Sequence, residues 1–482
     1  MARQLHISPL AVTMVLLPIG LAALVYYIVW GSMYNFIMLS FTPIFLSLLL
    51  LAFKKPILSI FVLFTLNYFF TPWTRYSEID GLSVWSDIVW WSTFVIVIIR
   101  ALTIGNIPWK RAINPLTIGG IFWAAYTVAE IINPSAITEA WVYSRSFIYN
   151  IFLVSLLTSL LVTSYKHLRI VIFLFSIYTI LAILKAFWQK YIGFDAIEWA
   201  WLQEGSEKTH LLAHTTRYFS FFTDAGNFGS NMGFASVVFS IISFYTKNKK
   251  YRIYYLIVAI FALYAMFMSG TRGAMFVPLG GLLLFTLMNK NIKLMCISGL
   301  LGICIYVFFA YTYIGESNQM ISRMRTSFNP TKDASYLVRK NNQRILATYL
   351  KNKPFGEGLG LGGVEAQKYA YRVTTLTPHD STYVKIWMET GIVGLVSYLI
   401  IYITSLLWGC YLIMFKVKNI ELRGTLTALA CGILGMMISA YGNAFFNQFP
   451  TGVMMILFLS ILLNSKYIDD QLTRSKTNTI PQ

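Results

Sequence analysis

Charge is scarce in this sequence. Asp, Glu, Lys and Arg make up 12% of its 482 residues, against roughly 25% in soluble domains. That shortage excludes an ordinary water-soluble fold. With 57% hydrophobic residues and a mean hydropathy of +0.63, the chain reads as a polytopic membrane protein. Acidic residues are scarcer still, 19 against 38 Lys and Arg, for a formal charge of +19. In a soluble protein this excess would suggest nucleic acid; in a membrane protein the positive-inside rule absorbs most of it, and no nucleic-acid partner is inferred. Cysteine is limited to Cys296, Cys304, Cys410 and Cys431, all in apolar runs without CxxC spacing. This leaves no disulfide framework and no thiolate metal site, and the thiols read as buried and free. No internal repeat is evident. The first apolar run, to Trp30, is longer than a signal-peptide core and lacks a small-residue cleavage site, so it reads as an uncleaved span.

Apolar runs, by contrast, are abundant. By the ~20-residue criterion fourteen spans are expected, at 9–30, 34–53, 57–72, 83–103, 116–133, 147–165, 170–189, 227–245, 252–269, 273–289, 294–313, 387–415, 424–444 and 450–465. The expected fold class is an all-α polytopic membrane protein with about fourteen transmembrane helices and one large external loop. With the N-terminus inside, Lys54 and Lys55, Lys110 and Arg111, Lys166 and Arg169, Lys247 to Arg252, Lys290 and Lys293, Lys416 to Arg423, and Lys466 all fall in inner loops. Both termini are therefore expected in the cytoplasm. The domains are spans one to eleven (1–313), an external loop (314–383), the last three spans (384–465) and a cytoplasmic tail (466–482).

The external loop is basic too, with ten Lys and Arg against five acidic residues. Topogenesis does not call for that charge outside, so an anionic ligand is the simplest account, with anionic lipid headgroups as the alternative. Residues 335–353 have helical spacing, with Tyr336, Leu337, Ile345, Leu346, Tyr349 and Leu350 as an apolar stripe. This predicts an amphipathic helix on the membrane surface, stopped by Pro354. The glycines of 356–363 would form either a ligand-cradling turn or a flexible external one. They are not a dinucleotide fingerprint, because no strand or βαβ unit precedes them.

His379 stands just before a helix, whose N-terminus disfavours imidazolium and so suits a neutral base or donor. Asp380 would cap that helix or orient the imidazole. Arg217 and Arg272 fall at the membrane edge on the same side. Snorkelling is the plain explanation, yet Arg272 sits in a very short turn between Gly270 and Gly273, and guanidinium forks suit phosphate oxygens. Arg145, Arg339 and Arg344 are further candidates of this type, while Lys185, Glu130 and Asp87 fall in or near spans.

Ser269-Gly-Thr-Arg272-Gly-Ala, the run Pro354-Phe-Gly-x-Gly-Leu-Gly, and His379-Asp-x-x-Tyr followed by Glu389-x-Gly-Ile-x-Gly-Leu resemble the O-antigen ligase and polymerase superfamily. Thr216-Arg217-Tyr-Phe-Ser-Phe-Phe-Thr-Asp224 is similar to the family's earlier external motif, so the resemblance covers about 217–395. It implies a GT-C-like membrane glycosyltransferase of the bacterial inner membrane, without metal or cofactor, acting at the periplasmic face. The donor would be an undecaprenyl-diphosphate-linked glycan, and the acceptor a lipid A core or a growing polysaccharide. Polysaccharide-assembly proteins are possible partners. Arg217 and Arg272 would grip the diphosphate with Arg339 or Arg344 assisting, and His379, with Asp380, would act at the acceptor. The sequence departs from the family in placing Asp after His379, where Asn is frequent, and in having more spans than ligases usually have. Ligase and polymerase remain open alternatives. A non-enzymatic flippase for the same lipid would instead show two similar halves and charges at the midplane.

Overall fold

A computed structural model describes residues 53–477, apart from 78–81, 106, 213–214, 290 and 329–333. The expected span 9–30, and all but the last residue of 34–53, lie outside the described residues. The longer helices are α1 (Ile57–Ser77), α2 (Leu82–Thr103), α3 (Pro115–Ala129), α4 (Arg145–Leu161), α5 (Tyr165–Tyr191), α6 (Ala225–Tyr245) and α7 (Lys249–Met268). They continue as α8 (Phe276–Met288), α9 (Ile292–Tyr311), α10 (Ala334–Tyr349), α11 (Thr382–Phe415), α12 (Ile420–Ser439), α13 (Thr451–Leu463) and α14 (Ser465–Thr477). Among the described residues the sole strand pairing is antiparallel, Leu211–Leu212 with Thr215–Thr216.

Ten helices among the described residues are long and apolar enough to cross a membrane. An eleventh results if Thr451–Leu463 and Ser465–Arg474, bent by 54°, are counted as one. The span expected at 273–289 is the shorter apolar helix Arg272–Met288. It begins as a 3-10 turn at Arg272–Met275, so its first residues belong to a turn rather than to a spanning rod. The span starts are written in polar side chains. Asn114, Ser164, Asp224, Asn248, Asn291, Ser381 and Asn419 each accept a backbone N–H from the first turn of the helix they precede.

Burial separates centre from periphery. The apolar stretches of α6 and α12 are 78% and 83% buried, those of α2 and α9 only 17% and 11%. Helix α8 approaches α12 closely because Gly280 and Gly435 meet: a Cβ on Gly280 would lie 3.0 Å from the Gly435 Cα. Phe175, Phe234 and Phe458 fill the centre with centroids 5.5–5.6 Å apart. Asn231 of α6 donates to Thr451 Oγ1 of α13 at 2.6 Å, a hydrogen bond of high value where no water competes.

Two expectations are corrected. Cys410 and Cys431 are buried free thiols, but Cys296 and Cys304 are exposed, since α9 turns most of its surface outward. The apolar stripe expected on α10 is two separate lines. Leu346 and Leu350 are buried against Met388, whereas Leu337, Val338 and Ile345 are 50%, 57% and 46% exposed.

Candidate functional site

The helices deliver four connections to one end of the bundle: the stretch before α6, the α7–α8 turn, the stretch between α9 and α11, and the α12–α13 turn. Hydrogen bonds join them. Thr382 N donates to the carbonyls of Ala440 and Asn443, and Thr223 Oγ1 to Gln448 Oε1 at 2.6 Å. At the centre is the turn Ser269-Gly270-Thr271. Gly270 has φ +56°, and a Cβ there would stand 3.1 Å from Arg217 Cγ, so glycine admits both the backbone and the arginine. Thr271 Oγ1 donates to the Ala225 carbonyl at 2.8 Å, pinning the turn to the start of α6.

Arginines surround this turn. Arg217 donates from Nη2 to Thr271 Oγ1 at 2.9 Å, from Nη1 to the Thr209 carbonyl at 2.9 Å and from Nε to the Ser269 carbonyl at 3.4 Å. Arg323, on the short helix Gln319–Arg325, donates from Nε to the Gly270 carbonyl at 2.6 Å. Arg272 donates to Thr326 Oγ1 at 3.2 Å. Arg339 of α10 brings Nη1 to Gly442, beside Gly273, and its Nε lies 3.4 Å from Asp380 Oδ2. Burial holds the Arg217 pKa down to about 10, and the charges of Arg323, Arg272 and Arg339 add to that against the pull of Asp224. Arg217 is still protonated at neutral pH. Four guanidinium groups thus share a small region with Asp224 and Asp380, and such forks of donors suit an anion.

His379 lies one residue from that network. Its ring packs on Gly363, where any Cβ would overlap Nδ1. Among the described residues Nδ1 is buried with no hydrogen-bond partner. Burial pushes the imidazole pKa down to about 3, with Lys385 adding to it, so the ring is neutral. Ser381, whose side chain accepts the Tyr383 N–H at 3.2 Å, is the cap of α11. Asp380 instead pairs with Arg339. The structure therefore brings Arg217, Arg272 and Arg339 together and ties Asp380 to them. It turns the His379 ring toward the glycine turn and leaves Arg344 exposed on another line of α10.

The glycine turn is not a loose flap. Residues 356–359 and 361–363 are almost all buried. Glu357 N donates to the Met388 carbonyl at 2.9 Å, Gly358 N to that of Glu389 at 3.0 Å, and Val393 N to that of Pro354 at 3.2 Å. These bonds fall where α11 is broken at Gly391, φ +67°. The Glu357 carboxylate, 2% exposed, is held by Lys353 at 2.7 Å and Arg372 at 2.8 Å.

The other charged candidates have structural partners. Arg145 pairs with Asp87 at 2.6 Å, Lys185 with Asp195 at 2.9 Å and Glu198 at 3.0 Å, and Glu130 accepts from Asn133 at 3.0 Å. His210 takes the Ala225 N–H on Nε2 at 3.2 Å, while Nδ1 lies 2.9 Å from the Ser206 carbonyl. It supports the start of α6 together with Asp224. Sequence reasoning counted Arg323 only toward net charge. The signal available was an arginine in a short polar helix, with nothing to aim it at Gly270.

The architecture is that of a polytopic α-helical membrane protein with an arginine cluster at one end. Residues 257–399, running from within α7 to within α11, match the family model described as O-Antigen ligase. The match spans under a third of the chain's length. The matched segment contains Arg272, Arg323, Arg339, Arg344, His379 and Asp380, whereas Arg217 precedes it. No curated protein sequence matches the chain.

Proposed function

We propose that the protein is a membrane glycosyltransferase that moves a glycan from undecaprenyl diphosphate to an acceptor hydroxyl at the periplasmic face of the bacterial inner membrane. The acceptor is a lipid A core in the ligase form of the reaction or a growing polysaccharide in the polymerase form. On this reading the whole chain has about fourteen spans in a GT-C-like arrangement, both termini are cytoplasmic, and 314–383 is the periplasmic loop. The observation that carries it is the convergence of Arg217, Arg272, Arg323 and Arg339 on one turn, most of it within the segment that matches the ligase family.

The chemistry asks for two things. As the hydroxyl oxygen bonds to the anomeric carbon, the bond from that carbon to the diphosphate oxygen breaks, and negative charge grows on the leaving group. Guanidinium groups stay protonated and pre-aimed, so they stabilise that charge without titrating. The hydroxyl proton must also leave, and His379 is the group for it. Its imidazole is a weak base while buried beside Lys385.

The test is transfer from a lipid-diphosphate-linked glycan by reconstituted Arg272→Ala and His379→Ala proteins that still insert and fold. Loss in both is expected, and full activity in both would remove the reading. The polymer profile of a deletion strain separates the two acceptors. Loss of ligation leaves lipid-linked polymer and bare cores; loss of polymerisation leaves single repeats on cores or abolishes a capsule.

A further inference from the structure

The diphosphate is one end of the donor, and the sugar bonded to it must rest against something beside the arginines. Between α10 and the start of α11 lies a groove of about 60 Å³. One wall is a single line of α10. Tyr336, Arg339, Lys340 and Gln343 recur at helical spacing and all line the groove. Asp380 and Tyr441 close it from the other side.

The lining is more mixed than the arginine cluster. Beside Arg339 and Lys340 it holds a carboxylate that only accepts hydrogen bonds, the amides of Asn342 and Gln343 that both donate and accept, and two tyrosine rings, 37% and 57% exposed. Asp380 offers a phosphate no hydrogen-bond donor and opposes the attraction of Arg339 and Lys340. A polyhydroxylated ring has donors for the carboxylate, both roles for the amides, and C–H faces for the tyrosines. Arg339 belongs to both regions, with Nε at Asp380 in the groove and Nη1 at Gly442, next to Tyr441 and facing Gly273. A ligand anionic at one end and hydroxyl-rich at the other would straddle that guanidinium.

We infer that the groove between α10 and α11 is the subsite for the donor's first sugar, the residue bonded to the diphosphate. The inference rests on the transferase reading. The full-length protein in lipid nanodiscs is titrated with bare undecaprenyl diphosphate and with the same lipid carrying a glycan. Gln343→Ala and Tyr441→Ala should each weaken glycan-lipid binding about tenfold, as loss of one or two neutral contacts does. Binding of the bare lipid should stay within about twofold of the unmodified protein. Unchanged glycan-lipid binding in both variants overturns the subsite, as does an equal loss for both lipids, which would make the groove part of the anion site. Unchanged donor binding with a raised KM for the acceptor saccharide overturns it in favour of an acceptor subsite. Arg272→Ala reports separately on the transferase reading: it should weaken both lipids, and wild-type binding of both would remove that reading, whatever the groove variants do.

Discussion

Two basic regions stand at opposite ends of the bundle. At one end Lys166, Arg169 and Lys247 rim a cavity of about 1000 Å³ between the start of α5, the α6–α7 loop and α14. At the other, Arg217, Arg272, Arg323 and Arg339 gather round the Ser269–Thr271 turn. The first three side chains are exposed; the four arginines are only partly so. Charge fixes how a helix sits in the bilayer at either end, but only the second region has a backbone turn shaped to receive guanidinium groups. Aimed cations, rather than abundant ones, distinguish the proposed diphosphate site.

The largest effect expected from this contrast is on transfer. Arg272→Ala should lower the rate by about a hundredfold or more, the usual cost of removing one preorganised charge-stabilising donor. Lys166→Ala combined with Arg169→Ala should leave it within about threefold, as for surface changes away from a site. Glycan transfer in reconstituted vesicles measures both, and equal losses would break the distinction. Next is His379→Ala, expected to cost about a hundredfold in kcat as loss of a proton acceptor does. Asp380→Asn, which weakens a partly exposed ion pair, should cost less than about tenfold.

A smaller effect concerns stability. At Gly363 an alanine would place its Cβ on the His379 ring at φ +94°, and should cost about 1–3 kcal/mol. Gly299→Ala on α9, whose nearest neighbour to a Cβ is 3.9 Å away, should be neutral. Thermal unfolding in detergent compares the two.

The smallest effect is a pH dependence. Burial holds the His210 pKa down to about 4, below its ordinary unfolded value of about 6.5. Between those values the unfolded chain binds the proton and the folded one does not, so stability declines as pH falls through that window. His210→Gln should show a shallower decline in Tm over the same range.

Much of this was readable in the sequence. Apolar runs marked the helices, and the short Gly270–Gly273 turn pointed to Arg272. That Asp380 would pair with Arg339 rather than orient His379 was not readable. Adjacent residues suggest partners, but the chain before α11 is non-helical, and in extended backbone neighbouring side chains point opposite ways. Asp380 turns to Arg339 and the imidazole to Gly363. Cys296 and Cys304 show a second limit: an apolar run predicts a helix without saying which face meets neighbours and which meets lipid.

The break in α11 at Gly391 has a mechanical consequence. A helix interrupted in this way normally gains a hinge, because the freed carbonyls no longer brace the next turn. Here those of Met388 and Glu389 are taken up by Glu357 and Gly358, while the Pro354 carbonyl receives Val393 from beyond the break. The joint is splinted from both sides. Swinging the loop away would mean parting all three of these bonds together, so the bend is a fixed elbow that clasps the glycine turn to the middle of α11.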